Sequence, residues 1–142
     1  MMKYLLILSL SLLSFISQSQ TVEGVWETYY KESGKIKSDV KIYIKDGKIY
    51  GKIIKFYNMP EAQKSAICTK RKDHRKDQPI IGMIFMSGLK QSGDKWEGDA
   101  VLLDPDNGKE YDGEVWLESP NKLAVRGYLG WLYETNYWKR KS

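Results

Sequence analysis

The chain has 142 residues, 23 of them basic and 18 acidic, for a formal net charge of +5; that balance is too mild to imply nucleic acid by itself. A single Cys and a single His exclude an intramolecular disulfide and a zinc site of the usual His/Cys composition. Aromatic residues make up 13% of the sequence, with five Trp and ten Tyr, a load that suits half-buried, pleated strands.

The first residues read as a targeting device. Met1-Met2-Lys3 is a short positive start, Tyr4 to Ile16 is almost entirely Leu, Ile, Ser and Phe, and Ser17-Gln18-Ser19 offers small residues at the cleavage positions. The apolar run is short and broken by Ser9, Ser11 and Ser14, so it does not suit a membrane span. No Cys follows it, which argues against a lipid anchor. The expectation is a signal peptide over 1–19 and an exported product, periplasmic or secreted, that begins at Gln20. Removing 1–19 takes away one Lys and no acid, leaving 22 basic and 18 acidic residues, net +4. Residues 20–142 are enough for a single domain with one core.

The mature chain reads as strands. Gly24 to Tyr30 is the first, and Lys31 to Lys37 a Gly-containing turn. Val40, Ile42 and Ile44 alternate with Lys41, Tyr43 and Lys45, the pattern of a half-buried strand. Asp46-Gly47 is a two-residue hairpin signal, and Lys48 to Tyr57 returns, with Ile53-Ile54 breaking alternation and suggesting a bulge or bend near Gly51. Residues 58–79 show no strand pattern, and a loop of that length in a compact domain is usually functional or flexible. Strands resume at Ile80 to Met86, then Leu89-Lys90, and continue at Trp96–Leu103, Lys109–Glu118, Lys122–Tyr128 and Tyr133–Lys139. Asp104-Pro105 followed by Asn107-Gly108 specifies a tight reversal between two of them. About eight strands without an amphipathic helix predict an all-β, antiparallel up-and-down barrel, which leaves no exposed edge.

Between Gly24 and Arg140 the chain resembles the bacterial domain-of-unknown-function 2147 family of small exported proteins. The resemblance rests on Gly24-x-Trp26, Gly51-Lys52-Ile53, Pro79-x-x-Gly82-Met83, Trp96-x-Gly98, Leu103-Asp104-Pro105 with Gly108-Lys109-x-Tyr111, Val125-Arg126-Gly127-Tyr128-x-Gly130 and Thr135-x-x-Trp138. It implies a lipocalin-like (calycin-like) barrel outside the cytoplasm, with no established activity. Members commonly carry Cys-x-x-Cys in the long loop. Here Cys68 stands at the first position and Arg71 at the second, so no clip of that kind can form.

Gly24-x-Trp26 resembles the motif that closes one end of lipocalin-type barrels, where a late basic residue covers the Trp ring by cation–π contact. Arg140 is the natural partner and Arg126 the second choice; a ligand role for Trp26 is the alternative. Arg126 lies opposite Val125 in strand alternation. Facing the lumen it would need an ion-pair partner such as Asp104 or Glu114, or would bind a ligand's carboxylate or phosphate with its fork; facing outward it would be solvated. Tyr111, Trp116, Tyr128, Trp131 and Tyr133 form an aromatic set that could line a cavity or simply fill the barrel.

The leading expectation is a non-enzymatic barrel that binds a small amphipathic or apolar molecule through Trp26, Tyr111, Arg126, Tyr128 and Trp131. The alternative is an envelope interaction module in which Lys70, Arg71, Lys72, Arg75 and Lys76 contact an anionic surface or protein partner. No catalytic residue, metal or cofactor is assigned. Cys68 and His74 lack an orienting third group, and Asp104, Asp106, Glu110, Asp112 and Glu114 are better explained by turn chemistry than by a cation loop. Nucleic acid is not an expected partner, and the mature chain is not expected to span a membrane.

Overall fold

The computed structural model describes residues 21–57, 79–105 and 107–142. It contains eight strands: β1 (Gly24–Tyr29), β2 (Ile36–Lys45), β3 (Lys48–Phe56), β4 (Ile84–Ser92), β5 (Lys95–Leu103), β6 (Glu110–Ser119), β7 (Lys122–Leu129) and β8 (Leu132–Arg140). Each pairs antiparallel with the next, and β8 returns to β1 to close the barrel. The all-β, up-and-down architecture expected from the turn spacing is therefore the one observed, with no helix among the described residues. The expected signal peptide, residues 58–78 of the expected loop over 58–79 (with Cys68, His74 and the basic residues from Lys70 to Lys76) and Asp106 lie outside the described residues.

Turn chemistry sets the hairpins. Asp46 and Gly47 both have positive φ, 51° and 75°, as a two-residue primed turn requires. Gly108 donates its N–H to the Asp104 carbonyl at 2.8 Å, and the Asp104 N–H returns to the Lys109 carbonyl at 2.9 Å. One strand begins later than its composition suggests: β4 starts at Ile84, not Ile80. Gly82 turns the chain at φ 89° and donates to the Ile53 carbonyl, while the Met83 N–H returns to Ile80, so the apolar run Ile80-Ile81 belongs to a turn.

Because hairpins alternate ends, the barrel has a floor and a mouth. The start of β1, the β2–β3, β4–β5 and β6–β7 turns and the end of β8 form the floor. The β1–β2, β3–β4, β5–β6 and β7–β8 connections form the mouth. The core fills the floor half: Trp26, Ile42, Ile49, Met86, Leu89, Val115 and Leu123 are fully buried. These are inward positions of alternating strands, where each side chain is worth about 1.5–3 kcal/mol in burial.

Bulges move side chains inward where alternation alone would not. β3 carries Ile54 as an extra residue opposite Asp39 and Val40, which accounts for the Ile53-Ile54 break. Gly51 pairs with Met86 and Lys52 with Ile84, so Phe85 is extra on β4. Its ring crosses the barrel to Trp138 on the facing strand β8, with centroids 6.0 Å apart. On β5, three residues separate Gly98 from Leu102 while a single residue separates Gly113 from Tyr111. The fold-back leaves Ala100 at φ 51° and lays Leu102 over Gly113, where an added Cβ would come within 2.7 Å of it. Glycine at 113 is thus a matter of space.

Candidate functional site

The floor is sealed. Trp26 is completely buried and donates its Nε1–H to the Val22 carbonyl at 2.9 Å. The Arg140 guanidinium lies 4.3 Å from the Trp26 ring centroid and is itself held by the carbonyls of Pro120, Glu23 and Thr21 at 3.0, 2.8 and 2.7 Å. The cation covers the ring face while three backbone acceptors fix its plane, so nothing enters from this end.

The mouth is different. Along β8 the inward positions are Leu132, Glu134, Asn136 and Trp138, in register with Leu129, Gly127, Val125 and Leu123 of β7. Trp138, Val125 and Leu123 are buried, but Leu129 and Leu132 are 62% and 52% exposed, and Glu134 and Asn136 are exposed as well. The wall above the Phe85–Trp138 contact is thus uncovered on its inner face. β8 also leaves β1 there: the two strands pair only at Trp26↔Arg140 and Glu27↔Lys139, and beyond that the gap is bridged by a Lys31–Glu134 ion pair of 2.9 Å between exposed groups, a contact of little energy. Opposite, Thr28 and Ser38 are buried and satisfy each other at 2.6 Å. The inner mouth therefore offers an apolar pair, a carboxylate and an amide on one uncovered stretch of wall.

Arg126 points away from this space. Val125 faces in, and Arg126 lies on the outer wall between two rings, 4.2 Å from the Tyr133 centroid and 5.0 Å from that of Trp116. Its Nε donates to Thr135 Oγ1 at 2.8 Å. A hydrogen bond with Tyr128 leads the causes that raise its pKa. The Tyr128 hydroxyl donates to Glu114 at 2.7 Å, and burial together with that bond pushes the phenol's pKa up. Lys95 adds a second cation on Trp116, 4.6 Å from its centroid.

The structure thus distributes the residues singled out in sequence over three places. Trp26 is in the floor, and Tyr111 faces inward at the mouth with its hydroxyl accepting from Asn107 at 3.0 Å. Arg126 and Tyr128 are on the outer wall, and Trp131 is 87% exposed at the β7–β8 tip. The aromatic set is divided: Trp116, Tyr128 and Tyr133 face outward, Trp131 stands at the tip, and Tyr111 alone faces inward. Alternation is inverted relative to aromatic content on β8, because Trp138 takes the inward position and carries Asn136 and Glu134 with it. Counting back in twos from Trp138 finds the inner-mouth residues that the aromatic pattern hides.

Two open grooves mark the outer wall. One, of about 730 Å³, runs over the glycine positions of β5 and β6 between Glu97, Asp99, Asp112 and Glu114; the other, of about 310 Å³, lies between Tyr29 and Tyr137 and reaches the edge of Trp138. No group of three or more His, Cys, Asp and Glu suited to a metal exists among the described residues.

The family model described as "Uncharacterized protein conserved in bacteria (DUF2147)" matches residues 24–140. The chain belongs to this family. As a DUF2147 member it shares its fold with protein HP1028 from the human pathogen Helicobacter pylori, described as belonging to the lipocalin family. The two are 20% identical, with a TM-score of 0.72 over 87% of this chain and 85% of that one. A search of the curated proteins returns no match.

Proposed function

We propose that this DUF2147 barrel is a non-enzymatic, exported carrier that holds a small amphipathic or apolar molecule in its mouth half. The observation behind this reading is the uncovered inner wall above Trp138: Leu129 and Leu132 are more than half exposed at inward positions of β7 and β8, beyond the buried Leu123, Val125 and Trp138. Apolar inner positions of this kind gain from any occupant that removes them from water. Glu134 and Asn136 beside them give that occupant's polar end a hydrogen-bonding partner, the mixture usual in small-molecule sites. The sealed floor makes the mouth the entrance.

Anilinonaphthalene sulfonate, an amphipathic fluorophore excited by energy transfer from tryptophan, tests the assignment. The native chain is expected to bind it with transfer from Trp138. Asn136→Trp, which lays a large ring over this wall from an already exposed position, is expected to weaken binding about tenfold, the loss of ~1.4 kcal/mol. Outer-wall Tyr133→Ser is expected to leave it unchanged. Equal affinity in the native chain and Asn136→Trp would remove the mouth as the site.

A further inference from the structure

One block of like charge covers the outer wall of β2, β3 and β4. Val40 and Ile53 pair and are both buried. Alternation therefore turns Lys41 and Lys52, Tyr43 and Tyr50, and Lys45 and Lys48 outward as directly opposed pairs. Lys90 of β4 stands opposite Lys48, and Lys55 lies beyond Lys52 toward the mouth. The acids on this face are Asp46 at the turn and Asp39, which is buried and held by Lys141. None of the six lysines forms an ion pair with a described residue. Like charges directly opposite one another weaken a strand pair, yet Lys41↔Lys52, Lys45↔Lys48 and Lys48↔Lys90 are all of this kind. The chain's own acids cluster on another wall, where Glu97, Asp99, Asp112 and Glu114 line the groove over β5 and β6. The lysines thus cost the sheet stability and have no described counter-charge within the chain, which leaves them to attract an anionic partner.

The layout points to a chain-like partner. The rows Lys41–Lys52 and Lys45–Lys48–Lys90 are four residues apart along the strands, ~13 Å at ~3.3 Å per residue, and do not converge on one point as a site for a single small anion would. Between them Tyr43 and Tyr50 lie ring to ring, with centroids 5.7 Å apart and planes 19° from parallel. Stacking uses the facing ring surfaces and leaves the hydroxyls for other contacts. The phenols of Tyr29, Tyr57, Tyr111 and Tyr128 are hydrogen-bonded, whereas those of Tyr43 and Tyr50 bond to no described residue. Free hydroxyls between rows of cations match a polymer that carries hydroxyls between its anionic groups.

We infer that the outer wall of β2–β4 binds an acidic polysaccharide: the lysine rows take successive anionic groups of the polymer, and the Tyr43 and Tyr50 hydroxyls take the sugar hydroxyls between them. The contact is electrostatic and reversible, since exposed charges act through water and are screened by salt. It goes beyond the carrier reading and stands independently of it, because the polymer uses outward residues and cargo uses the inner mouth.

Titration of the full chain with polygalacturonate, and with neutral dextran as the control, tests the inference. The native chain is expected to bind polygalacturonate and not dextran, and to release it as salt rises. Lys41→Gln with Lys52→Gln is expected to weaken binding about tenfold while keeping or raising Tm, because a like-charge pair is removed. Lys48→Gln with Lys90→Gln repeats the test at the other row, so that a single misfolded variant does not decide it. Tyr43→Phe with Tyr50→Phe keeps the stacked rings and is expected to bind polygalacturonate about fivefold more weakly, with unchanged affinity for single-stranded oligothymidylate and for phosphatidylglycerol vesicles. Asn136→Trp is expected to bind the polymer normally, so the two readings fail separately. Native affinity in both lysine double variants overturns the inference, as does a loss confined to Lys70→Gln with Lys72→Gln. An equal loss of oligothymidylate or vesicle binding in the tyrosine variant overturns the polysaccharide as partner. So does a salt-sensitive oligomer of the native chain that the lysine variants abolish in sedimentation velocity, which would show a second copy covering the wall.

Discussion

Trp26 and Trp131 occupy opposite ends of one barrel. The floor indole is fully buried, bonded to Val22 and covered by Arg140; the mouth indole is 87% exposed. Around Trp26 the inward residues Val40, Ile42, Leu123 and Trp138 are apolar and buried. Around the mouth they are mixed, with Glu134 and Asn136 beside Leu129 and Leu132. The same hairpin repeat therefore builds a rigid end and a receptive end. What separates them is which residue alternation delivers to the inside, and whether a bulge or a cation closes over it.

Truncating the floor should break the contrast most strongly. Trp26→Ala is expected to cost about 3–5 kcal/mol, as large-to-small changes of buried aromatics do, and it also strips Arg140 of the ring it covers. Urea unfolding of this variant should show a lower midpoint with an unchanged slope. If Trp26→Ala were no more harmful than a mouth substitution, the floor would not be the rigid end.

Arg126 separates wall from lumen on a smaller scale. Replacing it with Met keeps the stem and removes the cation between Trp116 and Tyr133, so Tm is expected to fall by a few degrees. Binding of anilinonaphthalene sulfonate is expected to stay the same. A variant that keeps its Tm but loses the probe would place Arg126 in the site despite its outward position.

Much of this was legible in the chain. Asp46-Gly47, Asp104-Pro105 and Gly130 mark turns because their φ requirements are local, and eight strands with such turns have few closures other than a barrel. Gly24-x-Trp26 with Arg140 was readable for the same reason, since stacking needs only one ring and one late cation. The direction of Arg126 was not. Alternation sets Arg126 opposite Val125 without saying which of the two faces in; β5 and the start of β4 hide more, because Ala100 holds a positive φ without being glycine and Phe85 turns inward beside Met86. The aromatic pattern misled on β8 because Tyr133 and Tyr137 pack on the outer wall through cations, Arg126 and Lys122, so ring content did not report burial.

One contact ties the floor to the mouth. Lys141 continues past β8 at the floor, donating its backbone N–H to the Val25 carbonyl at 2.9 Å, while its Nζ reaches Asp39 at 2.5 Å and the Tyr57 hydroxyl at 2.9 Å. Asp39 is only 2% exposed, and its Oδ1 has no partner among the described residues, so the Lys141 charge is its main compensation along with the Tyr57 hydroxyl, which donates to Oδ2 at 2.8 Å. The hydrogen bond to Asp39, ahead of that to Tyr57, raises the Lys141 pKa above its ordinary 10.5. A cation whose folded pKa is raised stabilises fully below the unfolded value and loses that contribution as pH climbs through the folded one. Lys141→Met is therefore expected to lie below the native chain in Tm from neutral pH to about 10, with the gap narrowing as pH rises further, because the native amine then also loses its charge on unfolding. A gap that stayed constant to the alkaline limit would mean that the alkyl stem of Lys141, not its charge, fastens the C-terminus to the mouth half of β2 and β3.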